Sequence, residues 1–157
     1  MVEFYSGKLK YIFILEMKIQ VKKIHPDAKI PHFSLEGDVG MDLYSVQDVI
    51  LKPGEKISCQ TGIGIKIPKG YAALIWDKGG PSHKFGVKTL GGVFDSNFTG
   101  EYLIGMINLG KENYIIKKGQ KIAQVLFQKV ETPEVEEVEE FEQTNRGNGA
   151  FGSTGLY

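Results

Sequence analysis

A single cysteine, no net charge and no long apolar run set the first bounds on this chain of 157 residues. Cys59 alone rules out a disulfide framework and any zinc site built from several cysteines. Lys and Arg together number 19, as do Asp and Glu, so no field of one sign points to nucleic acid, a membrane surface or an acidic partner. The three histidines, His25, His32 and His83, have no metal-ligand spacing with one another. The N-terminal apolar run Tyr11-Ile12-Phe13-Ile14-Leu15 is too short for a bilayer, which takes about 20 residues, and for a signal-peptide core of about 7–15. A cytoplasmic location is the expectation. Alternating strand and helix units are missing as well, which argues against a doubly wound dinucleotide-binding sheet.

Glycine, in contrast, is abundant at 20 residues, well above the usual share of ~7%. Many short strands separated by turns account for that excess. Period-two patterning predicts strands over residues 18–24, 49–51, 57–67, 71–76, 102–109, 114–116 and 122–130. Within 57–67 the residues Ile57, Cys59, Ile63, Ile65 and Ile67 share one parity and form a candidate core face. The breaks Lys52-Pro53-Gly54, Pro68-Lys69-Gly70 and Lys117-Lys118-Gly119 are turn chemistry, with glycine supplying positive φ. The one helix-like window lies near 87–90. The pattern predicts an all-β sandwich or barrel in a single domain. Residues 1–16 read as an N-terminal extension ahead of a domain that starts at Met17, and 17–130 as the β domain. Residues 131–157 read as an acidic tether, with seven glutamates between 131 and 142, followed by a Gly-rich arm.

Several short segments carry groups suited to chemistry. Asp42 follows a glycine in Gly40-Met41-Asp42-Leu43, where a turn cap is the commoner role. Lys78-Gly79-Gly80-Pro81-Ser82-His83-Lys84 reads as a cationic Gly-containing loop able to bind phosphate through N–H groups and charge, without a following helix. It does not match the GxxxxGK[ST] phosphate loop. Gly92-Val93-Phe94-Asp95-Ser96-Asn97-Phe98 reads as a β-hairpin with its tip near Ser96-Asn97, able to offer backbone groups to a base edge. Phe98 can pack on a sugar or fill core. In Gly119-Gln120-Lys121-Ile122-Ala123-Gln124 the alternation indicates a core strand, with Gln124 free to bond a ligand or the backbone. The C-terminal segment combines Arg146, suited to a terminal phosphate, with Phe151, a flat face for a base, and the hydroxyls of Ser153 and Thr154.

The order of these segments is the specific signal. Gly40-x-Asp42-Leu43, Lys78-x-Gly80, Gly92-Val93-x-Asp95-x-x-Phe98-x-Gly100-Glu101, Gly119-x-x-Ile122-Ala123-Gln124 and Arg146-Gly147-x-Gly149-x-Phe151-Gly152-Ser153-Thr154-Gly155 resemble the five ordered motifs of the trimeric dUTP diphosphatases. The resemblance implies a homotrimer of distorted jelly-roll, barrel-like β subunits whose active sites each draw on three chains. It implies hydrolysis of dUTP to dUMP and pyrophosphate, assisted by Mg²⁺ held mainly on the triphosphate oxygens. Asp95 is then the base that activates water for attack on the α-phosphorus, and Asp42 reaches the metal through water. Gly92 and Phe98 belong to the uracil and deoxyribose pocket; Lys78, Gly80, Ser82 and Gln124 line the phosphates. Arg146 clasps the γ-phosphate, Phe151 covers the uracil, and Gly152, Ser153 and Thr154 bond phosphate oxygens.

Three departures stand out. The family's usual Arg-Ser-Gly is Lys78-Gly79-Gly80 here, which keeps charge and loses the bidentate fork and a hydroxyl that Ser82 would have to supply. The usual tyrosine of the third motif is Phe98, and the usual Gly-Gly-Phe of the fifth is Gly149-Ala150-Phe151. The competing readings are a dCTP deaminase-like enzyme and a nucleotide-binding regulatory protein on the same fold with weak catalysis.

Overall fold

Short β-prone runs closed by glycine turns give strands too short to form one continuous sheet, and the chain distributes them over several antiparallel layers. The computed structural model describes residues 2–5, 8–11, 17–150 and 155. Among them, β1 (Val2–Tyr5) and β2 (Lys8–Tyr11) pair with each other antiparallel. There follow β3 (Gln20–Lys23), β4 (Met41–Tyr44), β5 (Val49–Leu51), β6 (Lys56–Cys59), β7 (Ile63–Lys66) and β8 (Tyr71–Asp77). A short helix α1 (Gly79–Phe85) precedes β9 (Val87–Leu90), β10 (Val93–Phe94), β11 (Ile104–Asn108), β12 (Tyr114–Ile116) and β13 (Lys121–Lys129). The largest sheet runs β10-β8-β13-β4, a second runs β6-β11-β9, and β12-β5 and β3-β7 pair separately. Every ladder is antiparallel, and among the described residues no barrel closes, so the architecture is a distorted jelly roll.

The core face expected from parity is present. Cys59, Ile63, Ile65 and Ile67 are buried and join Leu43, Leu51, Ile104, Met106, Ile116, Ile122 and Val125 in one cluster. Each fully buried Ile or Leu contributes on the order of 1.5–3 kcal/mol of transfer free energy. The three Gly turns form as expected: Gly54, Gly70 and Gly119 have φ of 77°, 83° and 78°.

Three expectations need correction. The single strand over 57–67 is two, β6 and β7, because Gly62 has φ 66° and Thr61 Oγ1 donates to the Tyr102 carbonyl at 2.7 Å, turning the chain from one sheet to another. The helix lies over Gly79–Phe85, in the segment read as a loop, while 87–90 is a strand with buried Val87 and Thr89 alternating with exposed Lys88 and Leu90. Pro81 is tolerated in the first helical turn, and Gly86 in the left-handed conformation closes the last one. Two glycines and a length of seven residues hid that helix from propensity and periodicity alike. Finally, the hairpin around Asp95 has its tip at Ser96-Asn97, with Phe98 N–H bonded to the Asp95 carbonyl at 3.1 Å, but among the described residues no return strand pairs with β10. Its outgoing limb is drawn to β7 instead. Tyr102 N–H bonds the Ile63 carbonyl at 2.9 Å, Glu101 accepts the Gly62 N–H at 2.8 Å, and residues 99 and 100 pass so close to Gly64 that a Cβ there would lie 2.9 Å from the Thr99 carbonyl oxygen.

Residues 131–142 carry no regular structure, and Val135 and Phe141 are each 90% exposed.

Candidate active site

Two separate groups of side chains stand out on the β10-β8-β13-β4 sheet. The first centres on Asp42, whose strand register sets it opposite Gln124, which in turn faces Trp76. Asp42 is 2% exposed, yet its carboxylate is fully engaged. Lys78 Nζ reaches one oxygen at 2.6 Å, and Lys121 Nζ and Ser34 Oγ reach the other at 2.6 and 2.8 Å. Burial works to raise the carboxyl's pKa, but the hydrogen bonds from Lys121, Lys78 and Ser34 prevail and hold it down to about 2. Gln124 Nε2 donates to the Asp77 carbonyl at 3.0 Å, and a Cβ on Gly40 would stand 2.7 Å from Gln124 Oε1, so glycine is what lets Gln124 occupy this position. Lys78 occupies the position just before α1 without a side-chain capping bond, and among the described residues nothing beyond the helix's own backbone and the chain neighbours lies within 4 Å of where a Cβ on Gly79 or Gly80 would be. Their backbone is therefore open to a ligand. Ser82 lies half-buried one turn further on, its N–H bonded to the Lys78 carbonyl at 3.0 Å.

The second group surrounds Asp95, which is exposed at the turn after β10 and borders a cavity of about 720 Å³ lined by Pro68, Gly70, Tyr71, Ser96, Asn97 and Thr132. Phe98 is 39% exposed and lies over Gly100, where a Cβ would fall 2.8 Å from the ring's Cζ. Its ring also tilts against Phe94 and Tyr102, which stack with centroids 4.0 Å apart. Gly92, with φ 125°, gives its carbonyl to Ile75 N–H at 2.8 Å and borders a smaller recess of about 380 Å³ with Trp76, Thr89, Gly91 and Val93.

A single protomer does not unite the two groups. Val93 pairs with Leu74 and Phe94 with Ala73, so Asp95 falls level with Ala72, whereas Asp42 is level with Trp76. Four residues along a strand are about 13 Å and three strand spacings about 14 Å, which separates Asp95 from Asp42 by about 20 Å. Arg146 meets neither group: its Nε donates to the Gly149 carbonyl at 2.9 Å within its own turn. Phe151, Gly152, Ser153 and Thr154 lie outside the described residues.

Sequence reasoning missed Lys121 and Ser34 as partners of Asp42, and the cluster in which Asp77 accepts from Lys88 Nζ at 2.6 Å and from Thr89 N–H and Oγ1 at 2.7 Å each. Lys121 lay inside the fourth motif but its alternation said only strand; Ser34 and Asp77 left no local signal.

Comparison with known proteins identifies relatives across nearly the whole chain. The family model for dUTPase matches residues 26–155. A deoxyuridine 5'-triphosphate nucleotidohydrolase of Clostridium kluyveri is 40% identical over 141 residues, covering 88% of this chain and 99% of that protein. The nucleotidohydrolase of the same name from Paramecium bursaria Chlorella virus 1 is 41% identical over 136 residues, covering 87% and 96%. Among solved structures, a mutant dUTPase of Staphylococcus bacteriophage 80alpha with dUpNHpp superposes with a TM-score of 0.79 at 30% identity, covering 88% of this chain and 99% of that one. The dUTPase of phage phi11 of S. aureus, in a mutant form described with a structural Mg(II) ion, gives a TM-score of 0.76 at 27% identity over 80% and 99%.

Proposed function

This chain belongs to the dUTPase family and hydrolyses dUTP, and we propose that it does so at sites shared between the subunits of a homotrimer, with Asp95 as the base. What carries the shared site is the strand order and register, which by the spacing of a flat sheet set Asp95 about 20 Å from the Asp42 group within one protomer. A triphosphate cannot be attacked near Asp95 and held by Lys78 and Gln124 of the same chain across that distance. A second copy set against the first can supply the missing half, and a closed ring of identical subunits makes all such sites equivalent.

In this arrangement Asp95 of one subunit takes a proton from water as it attacks the α-phosphorus, releasing dUMP and pyrophosphate. General-base help of this kind is worth about 10²–10⁴ in rate. Lys78, the bare backbone of Gly80, Ser82 and Gln124 of a neighbouring subunit hold the phosphates. Their fixed charges and dipoles stabilise negative charge without reorganising. The turn bearing Gly92 and Phe98 receives uracil and deoxyribose, where backbone groups reject the amino donor of cytosine and lack of space rejects a thymine methyl or a ribose hydroxyl. Arg146, Phe151, Gly152, Ser153 and Thr154 close over the nucleotide and exclude water.

Magnesium fits this site in one way only. Among the described residues no three His, Cys, Asp or Glu side chains are grouped to hold a metal ion, and both Asp42 oxygens already face ammonium groups. A protein-held dication does not suit that donor set. One carried on triphosphate oxygens and keeping its waters does, with Asp42 in reach through water. Bound there, it offsets phosphate charge.

The test is pyrophosphate release from dUTP, dTTP, dCTP and UTP. Turnover on dUTP with the others at least about a hundredfold slower fits the proposal, since specificity here rests on unpaired polar groups and steric exclusion. Ammonia released from dCTP would instead indicate a deaminase.

A further inference from the structure

A bulge in β13 brings a lysine into the phosphate-binding half of the site that a regular strand would have turned away. Side chains along β4 alternate, so Asp42 and Tyr44 share one face. Opposite them Gln124 pairs with Asp42, and a regular ladder would then pair Ile122 with Tyr44. Instead the register shifts, and Lys121 stands opposite Tyr44. Ile122 turns into the core, 2% exposed. Lys121 thereby joins Gln124 and Asp42 on one face, although an odd spacing of three would otherwise put Lys121 and Gln124 on opposite faces. Bulges commonly re-aim a side chain in this way next to active sites.

The resulting cluster is more cationic than its structural task requires. One ammonium would neutralise Asp42; two surround it, leaving one positive charge in excess. A further carboxylate, Asp38, acts on Lys121 without ion-pair contact and is itself bonded to the Leu35 N–H at 2.9 Å. Lys121 Nζ spends two donors, on Asp42 and on Ser34 Oγ at 2.7 Å, and keeps a third. Its side chain is 42% exposed, so that donor is presented to solvent. A charge held by two fixed partners loses little freedom on meeting an anion.

We propose that Lys121 is a second phosphate-binding residue, paired with Lys78 across Asp42, and that Ser34 positions it. The inference rests on the dUTPase reading and assigns Asp42 the further task of spacing two ammonium groups for the triphosphate.

Trp76, the one tryptophan of the chain, stands opposite Gln124 and is 54% exposed, which makes its fluorescence the chosen readout of nucleotide binding without turnover, with isothermal calorimetry as the second. The experiment titrates the full-length protein with dUpNHpp at several salt concentrations, without added metal. Lys121→Met is expected to weaken binding about tenfold and to flatten the salt dependence, as loss of one charged contact does. Lys121→Arg should restore both. Ser34→Ala, which keeps every charge, should cost about two- to threefold with the salt dependence unchanged. Affinity and salt dependence of Lys121→Met equal to the parent protein's would overturn the inference, as would a loss that Lys121→Arg repeats in full. If the parent protein itself fails to bind dUpNHpp even when Mg²⁺ is added, the dUTPase reading of the site fails instead.

Discussion

Acid should unfold this protein in part through one carboxylate. Asp42 is 2% exposed, and three donors hold its pKa to about 2 against an ordinary value of 3.8. A depressed carboxylate stabilises the fold at pH values above its unfolded pKa, and that contribution vanishes as pH falls through the folded one. Each unit of difference is worth about 1.4 kcal/mol, so the Asp42 group contributes about 2 kcal/mol at neutral pH, lost between about pH 4 and pH 2. Asp27 and Asp77 are also depressed, by Lys118 for the first and, against the opposing effect of burial, by Lys88 and Thr89 for the second, so the acid limb of the whole protein is a sum. Comparison with Asp42→Asn isolates the one group. Urea unfolding at fixed protein concentration from pH 7 to pH 2 should show the variant less stable at pH 7 by about 2 kcal/mol, with the gap closing below pH 4. Parallel curves for the two proteins through that window would refute the assignment.

Asp95→Asn should abolish pyrophosphate release while dUpNHpp binding stays within a few fold; near-parent turnover would remove Asp95 as the base. Gly62→Ala forces a side chain onto φ 66° with its Cβ 2.6 Å from that of His25, which should cost about 2–4 kcal/mol in urea unfolding. A loss below 1 kcal/mol would show that the turn between β6 and β7 adapts. Tyr102 is fully buried, its hydroxyl has no partner among the described residues, and burial pushes its pKa up to about 12. Tyr102→Phe should therefore leave stability unchanged or raise it by up to about 1 kcal/mol, and a clear loss would reveal a partner for the hydroxyl.

Local chemistry made much of this fold legible. Each Pro-Gly or Lys-Gly break became a turn because glycine alone accepts its positive φ at no cost, and the parity of Cys59, Ile63, Ile65 and Ile67 fixed a buried face whatever the strand boundaries. What stayed hidden depended on partners distant in sequence. Nothing in Gln60-Thr61-Gly62 announces that Tyr102 and Glu101 will capture it and divide one strand into two. The helix α1 is held by a capping glycine rather than by propensity or an apolar stripe, and all of its residues are at least partly exposed. The site was legible as motif positions, since Asp42, Lys78 and Gln124 do converge. Lys121 was not, because its place on that face comes from a one-residue bulge that no periodicity encodes. The distance between Asp95 and Asp42 also lay beyond the sequence, since it follows from strand order across a sheet.

That distance gives the most direct test of the account. Asp95→Asn protein and a Lys78→Met, Gln124→Ala protein should each be nearly inactive alone. Unfolded together in equal amounts and refolded, they should form mixed trimers in which about a quarter of the sites combine an intact Asp95 from one subunit with an intact phosphate cluster from its neighbour, and dUTP hydrolysis should return to about that fraction of the parent rate. Activity that stays at the level of the separate variants, in trimers shown to be mixed, would contradict a site built between subunits.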